Sequence, residues 1–413
     1  MNNILVLGDI LSIKKYLNFK EHQYFVITSE EELAEAPAEL KEIIDFYSVY
    51  TPAGFDVACF ENNIAEILAI VDRILAKEGT IDYVVTTYEH TVLPAAIIRS
   101  KYHINGLTED KAYVLRNKMT MKNLLEEGGL ATPKYSELSP ENYQSIIQSY
   151  LSTCAKAVIK PMNQAGSQGV LIANNYEDLV VHTENLFHSE EKVMIEEFID
   201  SPIINIDGIV QHGEMKFLSV AKKLGNCYSF VEHKENLATI LPNDAALYEQ
   251  AEAYVKAILA ILEINSLVFH LEAFDSHDGF IFLEMAGRYP GGSITELIER
   301  VHHFDVVKES YDFDCQKALA KRALAAPAKV SAMLLVPLPE KRDITIRSIE
   351  GLNALPNNII GSSIVGPGEK VTYHVLHPFA YLAKFYIEDE SMEGVIATIN
   401  IITKEVSYHY DFM

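Results

Sequence analysis

Glu272 and Glu284 lie in two strongly apolar runs, residues 268–274 and 280–284. Strand alternation sets His270, Glu272 and Phe274 on one face of the first run, and Phe280, Phe282 and Glu284 on one face of the second. The link Ser276-His277-Asp278-Gly279 reads as a hairpin turn, and its length decides the chemistry. A two-residue Asp278-Gly279 loop pairs Glu272 with Met285 and turns Glu284 to the other face. A three-residue His277-Asp278-Gly279 loop pairs the two glutamates directly. Gly279 then takes the left-handed position that such loops reserve for glycine, so this register is preferred. Opposed carboxylates repel unless a cation joins them. Oxygen ligands of this kind suit Mg²⁺, with phosphates completing the shell. Two solvated glutamates would be the plainer reading, but both stand in apolar surroundings.

Arg288 follows four residues after Glu284, within reach of the same phosphate or of a developing oxyanion. A structural salt bridge is its plainer role. Gly291-Gly292-Ser293 opens a predicted helix over 294–301, whose N-terminus suits an anionic group such as a carboxylate. Upstream, Ala-Val-Ile-Lys-Pro (157–161) reads as a strand carrying Lys160, followed by a small-residue loop over 162–170. There Gly166 and Gly169 flank Ser167 and Gln168. Such a loop can aim backbone N–H groups at phosphate oxygens, and a lysine at its base supplies a point charge. A hairpin loop with a surface lysine would look the same. No GxxxxGK[ST] occurs, so this is not a Walker A loop.

These residues need a scaffold. Short apolar runs at 4–8, 24–28 and 83–87 alternate with helices. Ile64, Ile67, Leu68, Val71, Ile74 and Leu75 form one helical stripe. Strands alternating with helices predict a parallel, doubly wound sheet. Gly8 is a lone glycine and no dinucleotide fingerprint. Helices are expected over 108–116, 119–127, 176–187 and 245–262, with strands over 267–275 and 280–285 and a helix near 311–325. From 157 to about 217 the pattern is rich in strands. From 332 onward strand-like runs alternate with Pro, Gly and Asn turns, as in an antiparallel piece.

With 413 residues, two or three domains are expected. The net charge of −24 argues against nucleic acid or an anionic membrane as the main partner, but not against an anionic small ligand met by local cations. Cys59, Cys154, Cys227 and Cys315 stand far apart and form no CxxC, so neither zinc nor a disulfide framework is expected. Neither a signal peptide nor a membrane span is legible, and a reducing, cytoplasmic setting is expected.

The order of these residues resembles that of the ATP-grasp superfamily, in particular its carboxylate–amine ligases and the bacterial L-amino-acid (dipeptide) ligases, over about residues 113–300. The resemblance implies an α/β and α+β multidomain chain. It would have a doubly wound, parallel-sheet pre-ATP-grasp domain over 1–112 and a nucleotide clamp over 113–310. A mobile lid lobe would lie at about 150–200, and an antiparallel C-terminal extension would fill 311–413. Lys118 and Lys160 match the nucleotide lysines. Ser167, Gln168 and Gly169 match the phosphate-covering loop. Glu196, Glu197, Phe198 and Ile199 match the adenine hinge, whose backbone and acidic side chain receive the base. Asp207-Gly208 match the strand usually read "s-v-D-G". Glu272 and Glu284 match the magnesium glutamates, and Arg288 the arginine beside the γ-phosphate. The cofactors implied are ATP and Mg²⁺, with Mn²⁺ as a substitute.

Three positions depart from the pattern. Asn117 stands where aspartate is common. Ile203 replaces the glutamate that holds ribose, so Asp200 or Asn205 becomes the candidate. Ala286 stands where many members have an asparagine ligand, and the amino-acid ligase branch often has a small residue there too.

The implied reaction joins a carboxylate to an amine, both supplied by small molecules that are expected to be amino acids, through an acyl phosphate, releasing ADP and phosphate. Gly291, Gly292, Ser293 and Tyr289 are candidate substrate-binding residues, and segment 226–240 could shape the acceptor pocket. His233, His270 and His302 read as packing or orienting residues. Three other readings stay open: a carboxylase- or formate-type enzyme, loading onto a carrier-protein thiol, and an ATP-binding protein without turnover. So does the oligomeric state, a homodimer included.

Overall fold

The computed structural model describes residues 1–49, 59–164, 166–322, 324–373 and 380–413. The first apolar runs become β1 (Asn2–Leu7), β2 (His22–Ser29), β3 (Asp45–Val49) and β4 (Tyr83–Thr86). They form a parallel sheet in the order β3-β2-β1-β4. Ile4 to Leu7 are completely buried, as strands covered on both faces require. Helix Ile64–Glu78 presses Ile67, Ile70, Val71 and Ile74 onto one face. The other face is covered by Ile10, Ile13 and Leu40 and, from far along the chain, by Tyr311 and Cys315. β3 was not legible, because this edge strand is only half-buried and carries polar residues among its apolar ones.

The expected helix near 311–325 is instead Val306–Asp314. Gln316 adopts a left-handed conformation with φ of 58°. The N–H of Lys317 reaches back to the Asp312 carbonyl and that of Gln316 to Phe313, a Schellman stop that ends the helix despite the alanine-rich sequence beyond it.

β5 (Tyr135–Leu138), β6 (Ala157–Pro161), β7 (Leu171–Ala173) and β8 (Val193–Glu197) form a small antiparallel sheet. Helices Tyr143–Thr153 and Tyr176–His188 cover it through Ile147, Tyr150 and Leu179. The large sheet is antiparallel and takes in β9 (Ile203–Gln211), β10 (Glu214–Leu224), β11 (Leu237–Leu241), β12 (Leu267–Ser276), β13 (Gly279–Ala286) and β14 (Val330–Pro337). Its order is β13-β12-β9-β10-β11-β14, continued by strands Tyr381–Asp389 and Ile359–Ile364. Much of the C-terminal stretch therefore extends this sheet. Strands Ile344–Glu350, Lys370–Val371 and Ser407–Phe412 form a separate small one. Helix Ala245–Ile261 backs the large sheet with Leu247, Ala251, Val255 and Ile258, leaving the opposite face to carry the polar side chains.

The β12–β13 hairpin pairs Glu272 with Glu284, but not by the expected turn. Ser276 stands opposite Gly279, so the turn is the two residues His277-Asp278. Continued unbroken, that register would pair Glu272 with Leu283. A bulge at Leu283 shifts it by one and restores the glutamate pair. The backbone groups beside the bulge have partners elsewhere. The Phe282 N–H donates to the Ala131 carbonyl at 2.8 Å, and the Phe282 carbonyl accepts from Lys122 Nζ at 3.4 Å.

Gly208, in the middle of β9, is required by packing. A Cβ there would lie 2.6 Å from the Phe217 carbonyl oxygen and 2.6 Å from Cζ of Phe269. Gly208→Ala is expected to cost about 1–3 kcal/mol through overpacking. A lowered thermal midpoint would register this; an unchanged one would contradict the packing account.

Candidate functional site

Adjacent strands set one row of side chains on the open face of the large sheet. Glu272 is opposite Asn205 on one side and Glu284 on the other, and His270 is opposite Asp207 and Ala286. Asp207 Oδ1 is 2.6 Å from His270 Nδ1, and His270 Nε2 is 3.7 Å from Glu272 Oε1. Burial works against charge on His270, but the Asp207 carboxylate outweighs it and raises the imidazole to about 9. Glu272 also accepts from Lys223 Nζ. Burial would raise its carboxyl; Lys223 and His270 together hold it well below the carboxylate range. Glu284 Oε2 lies 3.5 Å from Lys118 Nζ, which donates to the Gln164 carbonyl at 2.7 Å.

Two cavities meet at these glutamates. The larger, about 450 Å³, runs between the small sheet and the large one and reaches Phe198 and Ile199. The smaller, about 150 Å³, runs the other way, to Arg288, Gly291 and Gly292. Lys118, Gln164, Lys223, Cys227, Glu272 and Glu284 line both.

The donor set fits a hard divalent cation. Two carboxylates on paired positions each have a lysine ammonium beside them, so positive charge already stands where a metal would. Among the described residues no group of three or more His, Cys, Asp or Glu is arranged around a metal position. Phosphate oxygens would have to supply the remaining ligands.

Lys160 lies in the wall of the larger cavity and reaches Glu196 Oε2 at 2.8 Å, while Lys122 stands 3.2 Å from Glu196 Oε1. The Glu196 carboxylate thus lies between two lysines, and Glu196 lines the same cavity. Burial would raise the pKa of its carboxyl, and the two ammoniums bring it below the ordinary carboxylate value. Lys122, fully buried, is itself lowered to about 8 by burial despite that partner. Glu197, Phe198, Ile199, Ser167 and Gln168 line the same cavity. Ala165 lies outside the described residues. Gly169 does not line it; its Cβ position lies 2.7 Å from the Pro161 ring, and its carbonyl meets His182 Nε2 at 2.8 Å. Of the two ribose candidates, Asp200 lines the cavity. Asn205 is wholly buried beneath it, with neither amide atom hydrogen-bonded within the described residues.

At the smaller cavity, Gly291 and Gly292 line the wall, but Tyr289 and Ser293 do not. The Tyr289 hydroxyl turns back to donate to the Thr87 carbonyl at 3.3 Å, and Ser293 Oγ accepts from Lys384 Nζ at 3.2 Å. His302 sits against Phe217 and Tyr248 in the core, lowered to about 4 by burial, and His233 packs on Tyr228. Of the three histidines, His270 reaches a cavity.

Sequence reasoning missed a buried charge bridge. Arg288 Nε donates to Glu89 Oε2 at 2.7 Å, and Glu89 Oε1 accepts from Arg116 Nη1 at 3.1 Å. Arg116 also binds Glu61 at 2.7 Å and the Asn163 carbonyl at 2.9 Å. Burial would raise the Glu89 carboxyl, but Arg288 and Arg116 overturn that and hold it at about 2. Glu89 follows β4, at the carboxyl end of a parallel sheet where ligand crevices form. That position was the available signal.

Residues 154–296 match the family model of the ATP-grasp domain. It is similar to an L-arginine-specific L-amino acid ligase of Bacillus subtilis, 24% identical over 243 residues, 57% of this chain. That alignment spans 58% of the relative's length. The fold matches the crystal structure of an L-amino acid ligase from Bacillus licheniformis with a TM-score of 0.73 and 15% identity, over 100% of this chain and 99% of that one. It also matches a carboxyaminoimidazole ribonucleotide synthase from Aspergillus clavatus complexed with ATP (TM-score 0.63, 14% identity, 98% of each chain). No helix among the described residues is long and apolar enough to cross a membrane.

Proposed function

We propose that this chain is an ATP-dependent carboxylate–amine ligase that joins two amino acids through an acyl phosphate. The observation that carries the reading is the meeting of the two cavities at Glu272 and Glu284. ATP would occupy the larger, with its base against Phe198 and Ile199 and its phosphates toward Lys118, Lys160 and the loop around Ser167. The reacting carboxylate would enter from the smaller. Its oxygen attacks the γ-phosphorus, ADP leaves, and the amine then attacks the acyl carbon and expels phosphate.

Glu272 and Glu284 would hold Mg²⁺, which when bound neutralises phosphate charge and orients the terminal phosphoryl group. Lys118 and Lys160 offset further charge, and Arg288 stabilises the transferring group and the later oxyanion. The protein's work is positioning in a site screened from water, because an acyl phosphate is readily hydrolysed.

The carboxyl ends of the parallel strands favour an amino acid over a phosphate-bearing substrate. Asp9 and Glu32 stand there, and Asp9 is raised by burial and by the nearby Glu32. Such a surface repels a sugar phosphate and attracts an ammonium group.

A phosphate-release screen over pairs of amino acids, with products weighed by mass spectrometry, tests the reading. ADP and a dipeptide are expected. Release driven by bicarbonate alone, or product formed only on a carrier thiol, would replace it. Lys160→Ala is expected to weaken ATP binding by about tenfold, the scale of one charge-assisted contact, and amino-acid binding far less. Calorimetry finding the opposite order would remove Lys160 from the nucleotide site.

A further inference from the structure

The open face of the large sheet changes character from strand to strand. β12, β9 and β13 bring the acids and histidine described above, and β10 brings Lys223. On β11, Thr239 stands directly opposite Lys223, and on β14 Met333 stands opposite Thr239. Leu237 and Leu335 form the corresponding cross-strand pair two positions along, on the same face. All four line the smaller cavity and are almost wholly buried. Ile294 closes the wall from the adjoining helix. Next in line, opposite Leu335, is Lys384, but its ammonium is bound to Glu296 at 2.5 Å.

The carboxylates of this cavity are already matched. Glu89 is held by two arginines, Glu272 by Lys223 and His270, and Glu284 by Lys118. A guanidinium or ammonium side chain entering the apolar half would be desolvated with no free carboxylate to meet it, at a cost of several kcal/mol. A carboxylate side chain would meet the same wall. The whole cavity, its charged end included, holds about 150 Å³, the volume that takes one benzene-sized group, so its apolar half takes a smaller one.

We propose that Leu237, Thr239, Met333 and Leu335 form the side-chain subsite for one of the two substrates, an amino acid with an uncharged aliphatic side chain no larger than leucine. This rests on the ligase reading and narrows it. The strand pairing makes the subsite rigid, and it places specificity on β11 and β14, across the sheet from the glutamates.

The test is binding of L-leucine, L-valine, L-phenylalanine, L-arginine and L-lysine to the full chain with Mg²⁺ and a non-hydrolysable ATP analogue, beside the turnover screen. Leucine or valine is expected to bind about 100-fold tighter than arginine or lysine. Thr239→Asp, which sets an unmatched carboxylate in the wall, is expected to narrow that ratio at least about tenfold. Met333→Ala is expected to move preference toward phenylalanine, and carries the test should Thr239→Asp misfold. Arginine or lysine bound as tightly as leucine by the native chain, or ratios unchanged in the folded variants, would overturn the subsite. Leucine selectivity without ADP formation from any pair would leave it standing and remove the ligase reading.

Discussion

Glu284→Gln is expected to lower ATP turnover by about 1,000-fold or more while leaving the fold intact. Losing one preorganised electrostatic contact at a reacting phosphate costs about 10²–10³ in rate, and a neutral amide is also a much poorer ligand for Mg²⁺. The structural cost is small. Glu284 is 37% exposed as a side chain, and its ion pair with Lys118 is long, at 3.5 Å. Lys118 keeps the Gln164 carbonyl as a partner. ADP formation and the thermal midpoint, measured together, check both halves. Near-normal turnover would show that the glutamate pair does not hold the metal.

Glu89→Gln is the opposite case, with a large effect on stability as well as rate. It leaves two largely buried guanidiniums without their shared carboxylate, and breaking a buried pair in this way costs about 3–5 kcal/mol. Arg116 keeps Glu61, so the lower end is expected. Arg288 keeps only its bond to the Tyr289 carbonyl from the contacts described, and its aim at the smaller cavity is lost. The acid dependence has a definite sign. The Glu89 carboxyl sits at about 2 in the folded chain against 4.5 ordinarily. The folded state therefore binds fewer protons than the unfolded one between those values. The contribution is complete above about pH 4.5 and is lost as pH falls toward 2. Each tenfold in proton affinity is worth about 1.4 kcal/mol, which makes the whole about 3 kcal/mol. Unfolding midpoints of the native chain and Glu89→Gln should differ most near neutral pH and converge as pH falls from about 4.5 toward 2. A constant difference would place the stabilisation elsewhere.

The residues legible in the sequence are those whose role follows from local alternation. Glu272, Glu284 and Lys160 sit on strands, where every second residue shares a face, and the order of motifs did the rest. The same logic fails where a turn intervenes. The hairpin reached the right pairing by a bulge at Leu283, anchored by the Ala131 carbonyl and Lys122, both remote in sequence. Tyr289 and Ser293 lie within a few residues of Gly291 and Gly292, yet point away, because Thr87 and Lys384 bind their hydroxyls. Glu89, Arg116 and Lys223 were silent for a related reason. Each comes from a different part of the chain and meets the others only once the parallel sheet and the large sheet are packed together. The C-terminal strands looked like a separate piece because backbone pairing to β11 leaves no trace in composition.

The acyl phosphate is the centre of the account, and oxygen transfer tests it most directly. An amino acid labelled with ¹⁸O in its carboxylate, turned over with ATP and the second amino acid, should pass one labelled oxygen to the inorganic phosphate released with ADP. Mass spectrometry of that phosphate would read it. Unlabelled phosphate, or AMP and pyrophosphate in place of ADP, would contradict attack by the carboxylate on the γ-phosphorus.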